Sequence, residues 1–205
     1  EIAHGSIERP THYTTSYDLA KFEVPAHKWA DLSEGDYGVS ILNDCKYGYD
    51  IFENRMRITL MRSPNCPDRT SDHGINTFTY SFYPHSGVWS SSTVEEGFDL
   101  NLPLEGYSKK ASSGSLESAK SFVSFDRKNI VVDALKKSQA EDGYILRIYE
   151  CKKQRGTVTA NLGFNVSKIV ECNMMEVEEK ELAVKDNSFT FLLKPGEVKT
   201  FKIFR

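Results

Sequence analysis

Between residues 121 and 205 the chain alternates short runs of β-forming residues with turn formers at hairpin spacing, and this rhythm restricts the fold more than any other feature. The runs cover 121–125, 130–135, 144–150, 157–164, 168–172, 181–184, 189–193 and 198–204. The breaks hold Asp126-Arg-Lys-Asn, Glu141-Asp-Gly, Gln154-Arg-Gly, Lys185-Asp-Asn and Pro195-Gly, whose residues accept the backbone angles of tight turns. Eight short strands in roughly 85 residues predict an antiparallel sandwich of the immunoglobulin type.

The first half is also β-rich but less regular. Residues 16–24 alternate polar and apolar side chains with Ala20, Phe22 and Val24 on one face, which predicts a half-buried strand closed by Pro25. A strand over 29–32 follows, then the turn Ser33-Glu-Gly-Asp. Residues 38–42 read as a buried strand, 43–48 as a sharp polar turn, and 55–61 as the returning strand, with Met56, Ile58 and Leu60 on its apolar face. The stretch 63–72 carries two prolines and is a loop. Residues 77–83 put Phe78, Tyr80 and Phe82 on one side of the strongest strand in the chain, ended by Pro84-His-Ser-Gly. A short helix is expected over 94–100, capped by Ser92 or Thr93 with Glu95 and Glu96 near its N-terminal dipole, and residues 108–118 read as a linker. The expected organisation is all-β: 1–90 as the C-terminal strands of a large antiparallel β-sandwich, 91–117 as short helix and linker, and 118–205 as a smaller terminal sandwich.

The 205 residues are enough to bury about 70% of the unfolded surface. Net charge is -3, with both signs spread along the chain, so no basic stripe exists for nucleic acid or for an anionic membrane surface. No apolar run reaches the roughly 18 residues of a membrane span, and the first residues lack the pattern of a signal peptide, which points to the cytoplasm. The absence of an initiator methionine suggests a fragment of something longer. Cys45, Cys66, Cys151 and Cys172 stand singly and read as free thiols.

Catalytic signatures are missing. No two of the five histidines stand at i, i+4, and neither a nucleophile elbow, a P-loop nor a dinucleotide fingerprint occurs. Asp44, Asp50, Glu95 and Asp99 fit turns or caps, so the residues by themselves name neither a catalytic group nor a metal ligand. Two places have both a functional and an ordinary reading. In the turn 43–48, Asp44, Lys46 and Tyr47 project hydrogen-bonding groups and one ring, as a sugar-facing loop would; Asn, Asp and Gly also simply settle a tight turn. Arg9 could clamp hydroxyls through its planar fork, or pair with Glu8 in water.

Five segments occur in order: Glu8-Arg-Pro-Thr-His; the run from Ala20 to Ser33; Gly38-Val-Ser-Ile-Leu-Asn-Asp-Cys-Lys-Tyr-Gly; Leu60-Met-Arg-Ser-Pro-Asn-Cys-Pro-Asp; and Phe78-Thr-Tyr-Ser-Phe-Tyr-Pro-His-Ser-Gly. Together they resemble the C-terminal β region of the zinc-dependent retaining α-mannosidases, glycoside hydrolase family 38, in the cytosolic and bacterial branch. The closing strands, ending Pro195-Gly-Glu-Val-Lys-Thr-Phe-Lys-Ile-Phe, look like the terminal sandwich of the same enzymes.

The resemblance implies that zinc and the nucleophile lie upstream. The family's His-x-Asp is absent here, since the residues two places after the histidines are Ser6, Thr14, Trp29, Ile75 and Gly87. It further implies an accessory role: packing on the N-terminal catalytic domain of the same polypeptide, whose substrate is a mannose-containing oligosaccharide, and lending groups to the pocket rim. Arg9 and His12 lie where that loan is expected, with Asp44 to Tyr47 as the second choice. No cofactor is expected within these residues, and zinc is expected in the full-length enzyme. An apolar surface left bare by the missing barrel would also suit a homo-oligomer. The alternative is a freestanding carbohydrate-binding β-sandwich module; a third reading is an autonomous hydrolase using two of its own carboxylates.

Overall fold

The computed structural model describes residues 1–110, 113–114, 117–140 and 142–205. Contacts divide the chain into two compact units, Glu1–Gly106 and Tyr107–Arg205.

Two three-stranded antiparallel sheets build the first unit. One has the order β2 (Trp29–Ser33), β3 (Tyr37–Asn43), β6 (Tyr80–Ser86); the other has the order β1 (Val24–Pro25), β4 (Gly48–Phe52), β5 (Arg55–Ile58). Ala30 and Ile41 of the first sheet meet Tyr49, Ile51, Met56 and Ile58 of the second, and this contact is the core between them. The opposite face of β2 and β3 is covered by α2 (Ser91–Asn101), where Gly97 lets the helix approach Trp29: a Cβ there would lie 3.1 Å from the indole Cδ1. Trp29 is buried and its ring centroid lies 4.9 Å from that of Trp89.

Several expectations for this unit are corrected. Residues 16–20 form a helix, α1 (Ser16–Ala20), in place of a strand. The Thr15 hydroxyl accepts the Asp18 N–H at 3.2 Å and the Asp18 carboxylate accepts the Thr15 N–H at 2.9 Å, a capping box that commits the segment locally. Among the described residues no strand lies alongside to reward the alternation, and of residues 16–25 only Val24 and Pro25 pair there, with Tyr49 and Gly48. The strand at 55–58 does not return against β3. It pairs with β4 in the other sheet, and β3 is flanked by β2 and β6. Strand β6 begins at Tyr80 and continues through Pro84 and His85, because an edge strand tolerates a proline without an N–H. Its aromatic face points outward: Tyr80 and Phe82 are exposed, while Ser81, Tyr83 and His85 face inward. Helix α2 starts earlier than expected, with Ser90 as its cap.

In the second unit the periodicity reads true for seven of the eight expected strands; the one expected over 181–184 lies instead over Glu178–Leu182, where it pairs with the strand before it. The strands are β7 (Val123–Phe125), β8 (Ile130–Lys137), β9 (Tyr144–Glu150), β10 (Gly156–Leu162), β11 (Lys168–Cys172), β12 (Glu178–Leu182), β13 (Ser188–Leu193) and β14 (Val198–Phe204). They form two antiparallel sheets, β13-β10-β7 and β12-β11-β14-β9-β8. The inward rows, Leu146 and Ile148, Val158 and Ala160, Phe189 and Phe191, Phe201 and Ile203, interdigitate in one core. The Phe191 and Phe201 rings meet at a tilt of 49° with 4.7 Å between centroids. Each of the Leu, Ile, Val and Phe side chains contributes about 1.5–3 kcal/mol on burial.

The turns fit their residues. Asp186 and Asn187 hold the consecutive positive φ values, 51° and 58°, of a two-residue hairpin, and Gly196 takes φ 65° after Pro195. At one edge of the core the buried Glu150 carboxylate accepts hydrogen bonds from Asn129 Nδ2 at 2.7 Å and from the N–H groups of Lys152 and Gly196. Glu141 in the expected turn 141–143, and Ala111, Ser112, Ser115 and Leu116 in the expected linker, lie outside the described residues.

Candidate functional site

The turn after β3 is organised by one side chain. Asn43 accepts the N–H groups of Cys45 and Lys46 on Oδ1, at 3.1 and 2.6 Å, and donates from Nδ2 to the His27 carbonyl at 2.8 Å and the Tyr49 hydroxyl at 2.5 Å. The turn is thereby pinned to the core, which fixes where its tip points. Asp44 is tied to the chain ahead of β6: its N–H donates to the Thr79 carbonyl at 3.2 Å, and Thr79 N–H donates back to Oδ1 at 3.0 Å. Hydrogen bonds from the Cys45 thiol and from Thr79 hold the Asp44 carboxyl below the usual carboxylate range, and the neighbouring carboxylate pushes the Cys45 thiol up.

Asp44 and Tyr47 share a cleft of about 340 Å³ with His27, Lys28, Asn43 and Asn101. Asn101 reaches it from α2 and donates to the Asn43 carbonyl at 2.9 Å. Tyr47 stands exposed, edge-on to His27 with 5.8 Å between ring centroids. Tyr47 also lines a second cleft of about 340 Å³, whose walls include Glu23, Pro25, Thr59 and Arg62. There Glu23 accepts the Thr59 hydroxyl and pairs with the Arg62 guanidinium.

The five expected rim residues therefore divide. Asp44 and Tyr47 come together at a cleft. Lys46 turns back over the Phe78 ring, 5.3 Å from its centroid. Arg9 donates from Nη1 to the Pro25 carbonyl at 2.5 Å, and His12 Nδ1 lies 2.7 Å from the Thr14 hydroxyl on an exposed stretch. Neither Arg9 nor His12 lines the Tyr47 clefts.

One cluster was not legible beforehand. Across the inner face of β2, β3 and β6, Asp31 Oδ2 accepts the Ser40 hydroxyl at 2.7 Å and lies 2.7 Å from His85 Nε2, while Oδ1 accepts the Ser33 hydroxyl at 2.5 Å. Serine, histidine and aspartate are also the parts of a hydrolytic triad, but here both partners converge on the same carboxylate oxygen and Ser40 is 0% exposed, so no substrate carbonyl can reach it. The cluster ties three strands together. Its only sequence signal is polar Asp31, Ser33 and Ser40 at alternating inward positions, and the register that adds His85 comes from the tertiary fold.

Among the described residues no three His, Cys, Asp or Glu side chains come together as metal ligands, and no helix is long and apolar enough to cross a membrane. Among the described residues the four cysteines form no disulfide; Cys45 and Cys66 are exposed, Cys151 and Cys172 buried.

Two units, each built of two antiparallel sheets packed over an apolar core, define a β-sandwich class of protein. Residues 1–70 match the glycosyl hydrolases family 38 C-terminal domain, and residues 129–201 match the glycosyl hydrolases family 38 C-terminal beta sandwich domain. The chain belongs to the C-terminal region of glycosyl hydrolase family 38.

The chain is 42% identical to alpha-mannosidase G of Dictyostelium discoideum over 98% of its length. It is 33% identical to human alpha-mannosidase 2C1 over 97% and to the Saccharomyces cerevisiae alpha-mannosidase over 100% of its length. It spans only 19%, 19% and 21% of those relatives. A family 38 protein from Enterococcus faecalis shares the fold with a TM-score of 0.75 at 15% identity, over 98% of this chain and 24% of that one.

Proposed function

We propose that this chain is the accessory C-terminal region of an α-mannosidase: it packs on a catalytic segment upstream, completes that enzyme's folded state and borders its substrate pocket. The observation that carries the reading is similarity over 97–100% of the chain to enzymes named as α-mannosidases, within about a fifth of their length. The residues present do not fit a zinc site, since no three candidate ligands converge among those described. Bond cleavage, with its zinc and its retaining nucleophile, is assigned to the upstream segment, and the compartment is the cytoplasm. What these 205 residues supply is packing and position.

The test is hydrolysis of an aryl α-mannoside. The chain alone, with zinc added, is expected to give no turnover, and the longer polypeptide containing it is expected to turn over. Turnover by these residues alone in the presence of chelator sinks the proposal. Within the longer enzyme, a rim role for Arg9 requires Arg9→Ala to lower kcat/KM by roughly ten to a hundredfold, at about 1.4 kcal/mol per decade. Unchanged kinetics removes Arg9 from the rim.

The exposed Tyr47 ring beside Asp44 and Asn101 favours a second reading, a freestanding sugar-binding module, because a stacking face next to planar polar groups suits a pyranose. Calorimetric titration of the chain with methyl α-mannoside separates the two. Millimolar or tighter binding that Tyr47→Ala abolishes selects the module, and no binding selects the accessory role.

A further inference from the structure

Cations that stand apart along the chain are gathered by the second sandwich at one of its ends. Of the 26 Lys and Arg, 8 lie in residues 1–106 and 18 in 107–205; of the 29 Asp and Glu, 16 and 13, so the two units carry net charge of opposite sign. Strand register then brings three turns together. Ile130 opens β8 opposite Glu150 at the end of β9, Val198 opens β14 opposite Tyr149, and Gly156 opens β10 opposite Leu193 at the end of β13. Turns 126–129, 151–155 and 194–197 therefore share one end, and they carry Arg127, Lys128, Lys152, Lys153, Arg155 and Lys194. One buried carboxylate fixes all three: Glu150 accepts Asn129 Nδ2 at 2.7 Å, the Lys152 N–H at 2.8 Å and the Gly196 N–H at 2.9 Å.

Three of these cations meet at the end of the β13-β10-β7 sheet, one from each strand. Lys194 and Arg155 are the residues just beyond the Gly156–Leu193 pair. Arg127 follows β7, and its guanidinium lies over Gly156: a Cβ on that glycine would sit 1.9 Å from Nη1. Arg155 and Lys194 are exposed and Arg127 is half-buried, and among the described residues none of the three side chains pairs with a carboxylate. The acids of this end are engaged otherwise. Asp126 Oδ1 accepts the Thr159 N–H at 2.9 Å, Glu197 Oε2 accepts the Lys194 N–H at 2.7 Å with its other oxygen 3.9 Å from Lys199 Nζ, and Glu150 is buried. Like charges held together in this way repel, and a bound anion removes the repulsion.

We propose that this end of the second sandwich binds a phosphate monoester carried by a small-molecule ligand. At neutral pH such a group has close to two negative charges and three terminal oxygens, one for each of Arg127, Arg155 and Lys194, and guanidinium forks bind such oxygens in pairs. A carboxylate, with one charge and two oxygens, leaves one of the three cations unanswered. The turns hold neither an aromatic ring nor a large aliphatic side chain, so a membrane finds nothing to insert and a nucleic-acid base nothing to stack on. The site is independent of the accessory role, because none of its residues lines the clefts beside Tyr47.

Calorimetric titration with glycerol 3-phosphate, in a buffer free of competing anions, tests this on the chain and on the longer polypeptide that contains it. Millimolar or tighter binding is expected in both, weakened at least about tenfold by the Arg127→Ala, Arg155→Ala double variant. Gly156→Ala, whose methyl group displaces the Arg127 guanidinium, is expected to weaken binding with Tm unchanged. Lys185→Ala, in a turn at the opposite end, is expected to leave the affinity as it was. No binding up to about 10 mM overturns the assignment, as does an affinity that the double variant leaves intact. An equal loss on Lys185→Ala would mean diffuse charge and no site. Binding by the chain but not by the longer polypeptide would show this end covered by further chain, and also overturns it. So would capture of phosphatidylserine vesicles or of a single-stranded oligonucleotide that glycerol 3-phosphate fails to displace.

Discussion

Asp31 and Gly38 show how one position can govern several strands. The Asp31 carboxylate is buried and takes hydrogen bonds from Ser33 and Ser40 beside His85, and the His85 ring fits only because Gly38 has no side chain. A Cβ at Gly38 would lie 2.3 Å from His85 Cε1, 2.7 Å from Ser33 Cβ and 2.8 Å from the Gly87 carbonyl oxygen. The backbone contact cannot be relieved by a rotamer change, so Gly38→Ala is expected to destabilise the first unit by about 1–3 kcal/mol, read as a lower denaturation midpoint. A midpoint equal to wild type would mean the sheet is softer than its contacts indicate. Tyr49 provides a pH signature. Burial pushes its phenol from 10.0 up to about 12, against the opposing hydrogen bond from Asn43. The folded pKa exceeds the unfolded one, so the stabilisation is whole below about pH 10 and is lost as pH rises through about 12, on the order of 3 kcal/mol in all. Tyr49→Phe should flatten that alkaline slope in denaturant titrations; a slope that persists assigns it to another group.

At the scale of elements, local chemistry decides where tertiary partners are absent. Residues 16–24 alternate like a strand, yet Thr15 and Asp18 form a capping box and no strand lies alongside, so a short helix results. In β6 the alternation was legible but its direction was not. Which side of an edge strand is inside depends on what covers each face, and here the helix side takes Ser81, Tyr83 and His85. The hairpin at Asp186 and Asn187 offers a paired test. Asp186→Gly relieves a left-handed backbone and should stabilise by about 0.5 kcal/mol. Asn187→Gly relieves the same strain but removes the Oδ1 that accepts Val166 N–H at 3.0 Å, and should destabilise by about 1 kcal/mol. Thermal melts of the two variants moving in the same direction would contradict this account of the turn.

Taken whole, the two units differ in self-sufficiency. The second closes two sheets over a continuous core of Leu146, Ile148, Val158, Phe189, Phe201 and their neighbours, with Glu150 satisfied at its edge. Residues 107–205 expressed alone should therefore unfold in one cooperative transition, and residues 1–106 alone should aggregate or melt well below it; the reverse order in calorimetry would refute this view of the cores. The sequence by itself determined the all-β class and seven of the eight strands of the second unit, because side-chain period and turn chemistry are local properties that a sandwich obeys on both faces. Only the tertiary structure decided that Asp44 and Tyr47 share a cleft with His27 and Asn101, that His85 joins Asp31 and Ser40, and that the β6 aromatics face outward. Those depend on which strands become neighbours and which faces stay uncovered, and contacts between residues far apart in the chain leave no periodic trace in it.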